Sequence, residues 1–129
     1  MESELRNSAT SAGIYNNIPT SITSTVSVVT IIDGLSITKT ADKQVWADGI
    51  LTYTIIIDNQ TKKVYESPKI TDVLDNNLIE FINGSVTIDE VTATSSEYSY
   101  NALEHTLTIN LEDLDPSSTK TIKFQVSKK

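Results

Sequence analysis

Lys39 is the residue whose placement demands the most chemistry. In the run Leu35-Ser36-Ile37-Thr38-Lys39 it repeats the parity of Leu35 and Ile37, so on a strand it points to the same side as two apolar residues. An ammonium taken to an apolar side without a partner costs several kcal/mol, so Lys39 needs one. Asp72 shares the parity of Ile70 and Leu74, and Asn59 that of Ile55 and Ile57, so three polar residues punctuate apolar faces. Two chemistries are open to them. In the first, Lys39 sits near a strand end, extends its amine to water and makes at most a hydrogen bond or ion pair with Asp72. In the second, burial lowers the Lys39 pKa and the neutral amine attacks the Asn59 amide or the Asp72 carboxyl, a neighbouring protonated acid polarising the carbonyl. The product is an intramolecular isopeptide. A link from Lys39 to Asp72 closes a loop of about 33 residues, and the disulfide analogy gives it roughly 3 to 4 kcal/mol of stabilisation.

The other reactive residue types are sparse. His105 is the single histidine and there is no cysteine, so neither a typical zinc site nor any thiol chemistry can be assembled. A serine nucleophile would need a strained strand-to-helix turn that the sequence does not contain. His105 therefore reads as an edge-strand surface residue. Asp42, Asp48, Asp113 and Asp115 fall in loops without calcium-loop spacing or its bidentate glutamate, and read as solvated acids. No metal or cofactor is expected. Tyr98 and Tyr100, two apart, face one side of a strand and, with Trp46, could stack on a sugar; packing into the core is the competing reading for both tyrosines. Asn59-Gln60-Thr61 and Asn83-Gly84-Ser85 match glycosylation acceptors, but the second is better read as a hairpin turn.

These residues have to be positioned by strands. Threonine, serine, isoleucine and valine dominate the chain, and its β-branched residues suit a pleated surface. Strands are expected over Thr25–Ile32, Leu35–Thr40, Ile50–Asp58, Lys69–Leu74, Ser85–Ile88, Thr106–Leu111 and Thr119–Val126. Turn signals at Asp33-Gly34, Asp48-Gly49, Asp75-Asn76-Asn77, Asn83-Gly84 and Asp115-Pro116-Ser117 separate them. Strands this short and closely spaced predict an all-β antiparallel sandwich of about seven strands. Its core is expected to contain Leu51, Tyr53, Ile55, Ile57, Leu107, Ile109, Leu111, Ile122, Phe124 and Val126, which alternate on their strands. Residues 1–24 are polar and read as loop with one weak strand at most, and the parity switch between Val28 and Val29 predicts a bulge.

Composition sets the outer limits. The 129 residues suffice for one self-supporting core, with 17 acidic against 10 basic side chains and a net charge of −7. Such a surface repels nucleic acid and anionic lipid, so neither is expected as a partner. No stretch approaches the roughly 20 apolar residues of a membrane helix, so no membrane insertion is expected. The first residues lack the pattern of a signal peptide, so any export signal is expected on sequence preceding Met1.

From Leu35 onward the order of features resembles a family of repeats in bacterial and archaeal surface proteins, the domain-of-unknown-function family numbered eleven. The matching pieces are Ile37-Thr38-Lys39-Thr40-Ala41-Asp42, Gly49 followed by Leu51-Thr52-Tyr53-Thr54-Ile55, Asn59, Ile70 to Leu74, Phe81 to Val86, Leu107 to Leu111, and Leu114, Pro116 and Thr121 to Val126. The chain departs from the family pattern at Gln60, Asp75, Glu112 and Ser117, where glycine or proline is usual. The resemblance implies an immunoglobulin-like sandwich over 34–129, preceded over 1–33 by the tail of an earlier repeat that contributes one strand at 25–32. It also implies a secreted, non-catalytic spacer in an adhesin-like stalk on the bacterial cell surface or wall, with neighbouring repeats as partners. Intramolecular isopeptides occur in related surface sandwiches, which brings Lys39, Asn59 and Asp72 forward again. A glycan- or protein-binding module using Trp46, Tyr98 and Tyr100 is the alternative. Residues 25–32 could also exchange between copies to give a homo-oligomer.

Overall fold

In a computed structural model of the chain, the residues described are 9–23, 30–32, 34–43, 46 and 49–129. Among them are twelve strands and no helix. One antiparallel sheet has the order β10 (Tyr98–Asn101), β11 (Thr106–Asn110), β6 (Tyr65–Val73), β1 (Ala9–Tyr15), β2 (Ile18–Thr23). The other runs β3 (Thr30–Ile32), β4 (Leu35–Ala41), β5 (Ile50–Asn59), β12 (Ser118–Lys128), β8 (Thr87–Ile88), β9 (Val91–Thr92), with β7 (Ile79–Phe81) also on β12. The all-β sandwich expected from the alternation is the fold found.

Leu35, Ile37, Leu51, Tyr53, Ile55, Ile57, Ile122, Phe124 and Val126 are buried on one sheet, and Ala9, Ile22, Ile70, Leu107 and Ile109 on the other. Strict alternation along β5 and β12 produces this, because a period of two puts every second side chain inside. In the central ladder, β5 lies antiparallel to β4 on one side and to β12 on the other. β4 and β12 therefore run in the same direction. Leu35 and Ser118 both oppose Asn59 at one end of the ladder, whereas Ser127 opposes Ile50 at the other.

The amino-terminal segment differs from expectation. Residues 9–23, read as loop with one weak strand at most, form the β1–β2 hairpin, whose left-handed turn is Asn16-Asn17 at φ of 50° and 62°. β1 continues the sheet along β6, and the small polar residues that hid it from the sequence reading suit a strand with one exposed side. The expected strand over 25–32 is found as β3 at Thr30–Ile32, paired with β4 of its own chain; 24–29, with the Val28–Val29 switch, and 33 lie outside the described residues.

Two irregularities follow from particular residues. Pro68 lacks the N–H a regular interior ladder uses, and β6 accommodates it in a bulge with Ser67 at φ of 49°, so the register with β1 shifts between Ala12 and Ile14. Gly13 lies opposite that bulge, where a Cβ would stand 2.7 Å from the Glu66 carbonyl oxygen and collide with the Tyr65 ring. Gly13→Ala is therefore expected to lower stability by about 1 to 3 kcal/mol through overpacking, read as a shift in the urea midpoint; an unchanged midpoint would contradict this packing. The second irregularity is at Asn83-Gly84. β7 and β8 lie along the same edge of β12, so this turn is an excursion within one broken edge and not the expected hairpin. The Ser85 hydroxyl fills the gap, accepting from Gln125 N at 2.9 Å and donating to the Ile82 carbonyl at 2.6 Å.

Candidate functional site: a buried cross-sheet ion pair

β4 sends Lys39 inward from one sheet and β6 sends Asp72 inward from the other. Nζ donates to Oδ2 at 2.5 Å, and the two side chains are only 1% and 0% exposed. Asp72 stands mid-sheet, opposite Ala9 on β1 and Leu107 on β11. The Lys39 amine lies 4.3 Å from the centroid of the Tyr53 ring and 5.6 Å from that of Phe124. Two aromatic rings near the cation supply an electrostatic contact that water otherwise provides. Lys39 thus does not reach solvent, as one sequence reading had it; the partner that reading named is the one it meets.

Burial lowers the Lys39 pKa from 10.5 to about 8, and the neighbouring Asp72 charge opposes that shift without cancelling it. Below about pH 8 both folded and unfolded chains hold the proton, whereas between 8 and 10.5 the unfolded chain holds more. Stability contributed by this group therefore rises with pH across that window. From about pH 7 to about pH 9.5 the urea midpoint of the wild type should therefore rise relative to that of Lys39→Met. Equal shifts in both proteins would contradict this assignment.

Asn59 does not join the pair. Lys39 opposes Ile55 on β5 while Asn59 opposes Leu35, and four residues along a strand separate them by roughly 13 Å. Asn59 is fully buried for another reason. Its Nδ2 donates to the carbonyls of Lys63 and Leu114 at 2.8 and 2.9 Å, and its Oδ1 accepts from Thr61 N and Oγ1 at 3.0 and 2.7 Å. The parity argument found its inward direction but could not give its level along the strand. Asn59 fastens the loop from β5 to β6, so an attack of Lys39 on its amide has no geometric basis.

The remaining candidates sit apart. Tyr98 and Tyr100 are half-buried and pack on Phe81, with centroids at 6.3 and 4.7 Å, and the Tyr98 hydroxyl donates to Asn83 Oδ1 while accepting from Gly84 N. Trp46 is half-buried against the core. His105 is not on an edge strand: it lies in the β10–β11 turn at φ of 53°, and its carbonyl accepts from Leu74 N. Asp42 accepts from Thr52 N and pairs with Lys43, and Asp113 accepts from Ser67 N; Asp48 lies outside the described residues. Among the described residues no group of three or more acids and histidines is arranged to hold a metal.

Sequence reasoning passed over two features. Ser11 and the Tyr65 hydroxyl form a buried hydrogen bond at 3.0 Å between β1 and β6, and burial raises the Tyr65 pKa. The strand containing Ser11 was unrecognised, so its partner was too. At the β8–β9 turn, Asp89 accepts from Thr121 N and pairs with Lys120 at 3.1 Å, and the two hydrogen bonds hold its carboxyl below the ordinary value, the backbone one first. Compared with models of protein families, with curated proteins and with solved structures, the chain finds no match.

Proposed function

We propose that this chain is a non-catalytic spacer module of an exported bacterial surface protein, an immunoglobulin-like repeat that carries load between its neighbours. One observation carries the reading: β4 and β12 flank β5 and run in the same direction. The ladder therefore receives the chain at one end, through β4, and releases it at the other, through β12, as tandem stringing requires. With 11 residues in β12, the ladder extends roughly 36 Å. Tension along it loads the hydrogen bonds of both ladders in shear, all together. The Lys39–Asp72 pair adds a tie between the sheets, which resists their sliding. The resemblance to the surface-repeat family points the same way. The binding alternative gains less support, because Tyr98 and Tyr100 already present ring surface to Phe81.

Antibody raised against this domain should label intact cells of the source organism, and protease added outside should remove the label. Labelling only after lysis would contradict surface exposure. Titrating glycans while following Trp46 fluorescence tests the alternative, and saturable binding lost in Tyr100→Ala would favour it over the spacer.

A further inference from the structure

We propose that Asn83-Gly84 is a site of spontaneous covalent modification, deamidation through a succinimide, and that the Tyr98 hydroxyl is the group that restrains it. The inference stands whether or not the domain is a spacer. The pair lies exposed between β7 and β8, and nothing stands within 4 Å of the position a Gly84 Cβ would take, so solvent water reaches it. No other co-reactant is needed. Gly84 N gives up its proton and bonds to Asn83 Cγ, the Cγ–Nδ2 bond breaks, and Nδ2 leaves as ammonia. Water then opens the ring at either carbonyl, leaving aspartate or isoaspartate. Glycine makes its nitrogen the least hindered attacker, since no Cβ stands beside it.

The fold holds these atoms away from ring closure. Gly84 is at φ of 84°, Asn83 keeps a negative φ, and Ser85 N donates to the Ile82 carbonyl at 3.3 Å, so residues 82–85 form a type II turn. Such a turn sets Asn83 ψ at about +120°. The five-membered ring needs Gly84 N eclipsed with the Asn83 Cβ, which for an L-residue requires ψ of the opposite sign. The central peptide must therefore swing round before its nitrogen can reach Cγ. Tyr98 opposes that movement: its hydroxyl accepts from Gly84 N at 3.1 Å and donates to Asn83 Oδ1 at 3.0 Å. The attacking nitrogen and the amide under attack are thus tied to one oxygen. That oxygen is fixed independently of the turn, because Tyr98 belongs to β10 of the other sheet, opposite Ile109, and its ring packs on Phe81. What the restraint preserves is the broken edge of β12. An isoaspartate would add a carbon to the backbone beside Ser85, whose hydroxyl joins the Ile82 carbonyl to Gln125 N.

The test is peptide mapping of the full chain after incubation for weeks at mildly alkaline pH, as folded wild type, Tyr98→Phe and Tyr100→Phe. Tyr98→Phe keeps a ring on Phe81 and deletes both hydrogen bonds, whereas Tyr100→Phe alters the neighbouring ring on Phe81 and leaves them in place. Tyr98→Phe is expected to convert Asn83 to aspartate and isoaspartate about tenfold faster than wild type, a ratio within reach of two ordinary hydrogen bonds. Tyr100→Phe should keep the wild-type rate. In urea above the unfolding midpoint all three should react alike, because the turn no longer exists. Equal rates in folded wild type and Tyr98→Phe overturn the proposal, and so does a slower Tyr98→Phe, which would make the hydroxyl a promoter. Equal acceleration in Tyr100→Phe means general loosening and overturns it too, as does an Asn83 that stays intact in all three unfolded chains.

Discussion

Asp72→Ala is expected to lower the stability of the domain by about 3 to 5 kcal/mol, among the largest losses from any single replacement. The reason is what it leaves behind rather than what it takes away. Lys39 would remain buried with no carboxylate at 2.5 Å, facing the Tyr53 and Phe124 rings. It would have to give up its proton or pull the sheets open to water, and each course costs free energy. Lys39→Met should cost nearly as much, because a carboxylate at 0% exposure loses its cation. The double replacement Lys39→Met with Asp72→Leu should be far milder than the sum, since apolar side chains of similar volume replace a buried pair at little net cost. A double-mutant cycle by urea unfolding measures this directly. Additive losses would mean that the two residues do not interact.

Phe124→Ala should cost about 3 to 5 kcal/mol for a different reason, the cavity it opens. Its ring is wholly buried on β12 and packs against Tyr53 with centroids 5.4 Å apart and against Phe81 at 6.3 Å. It also walls the Lys39 amine, so removing it admits water beside the ion pair. Phe124→Leu, which keeps most of the apolar volume, should lose markedly less. Calorimetric or urea midpoints of the two variants check this, and equal losses would contradict the cavity argument.

Much of this was legible in the sequence, and particular residues show why. Period-two alternation is unambiguous where β-branched and aromatic residues repeat, as in Leu51-Thr52-Tyr53-Thr54-Ile55, and those strands were found with their faces correctly assigned. Lys39 and Asp72 were found because a charged residue in an apolar parity requires a partner. Asn59 was wrongly grouped with them because parity fixes the face of a strand but not the height along it, which depends on register. β1 and β2 were missed because Ala-Thr-Ser-Ala-Gly carries little apolar signal, and a strand of that kind is recruited by a neighbour's open edge. The first half of β6 was missed because the expected strand began only after Pro68, whereas the fold carries the strand through that proline by a bulge. Short edge strands such as β7 and β9 depend on the partner strand for their existence and leave no local pattern.

The central claim, that the sandwich is built to bear tension along its ladder, is tested most directly by pulling single molecules in two directions. The sequence has no cysteine, so paired cysteines introduced at outward-facing positions attach handles without ambiguity. Handles at Ser36 and Lys129 load β4, β5 and β12 in shear, because the two sites lie toward opposite ends of the ladder. Handles at Ser36 and Asp58, which oppose each other across β4 and β5, open that ladder one hydrogen bond at a time. The account predicts a severalfold higher rupture force for the first pair than for the second, reduced by Asp72→Ala. Equal forces in the two directions, both unaffected by Asp72→Ala, would contradict it.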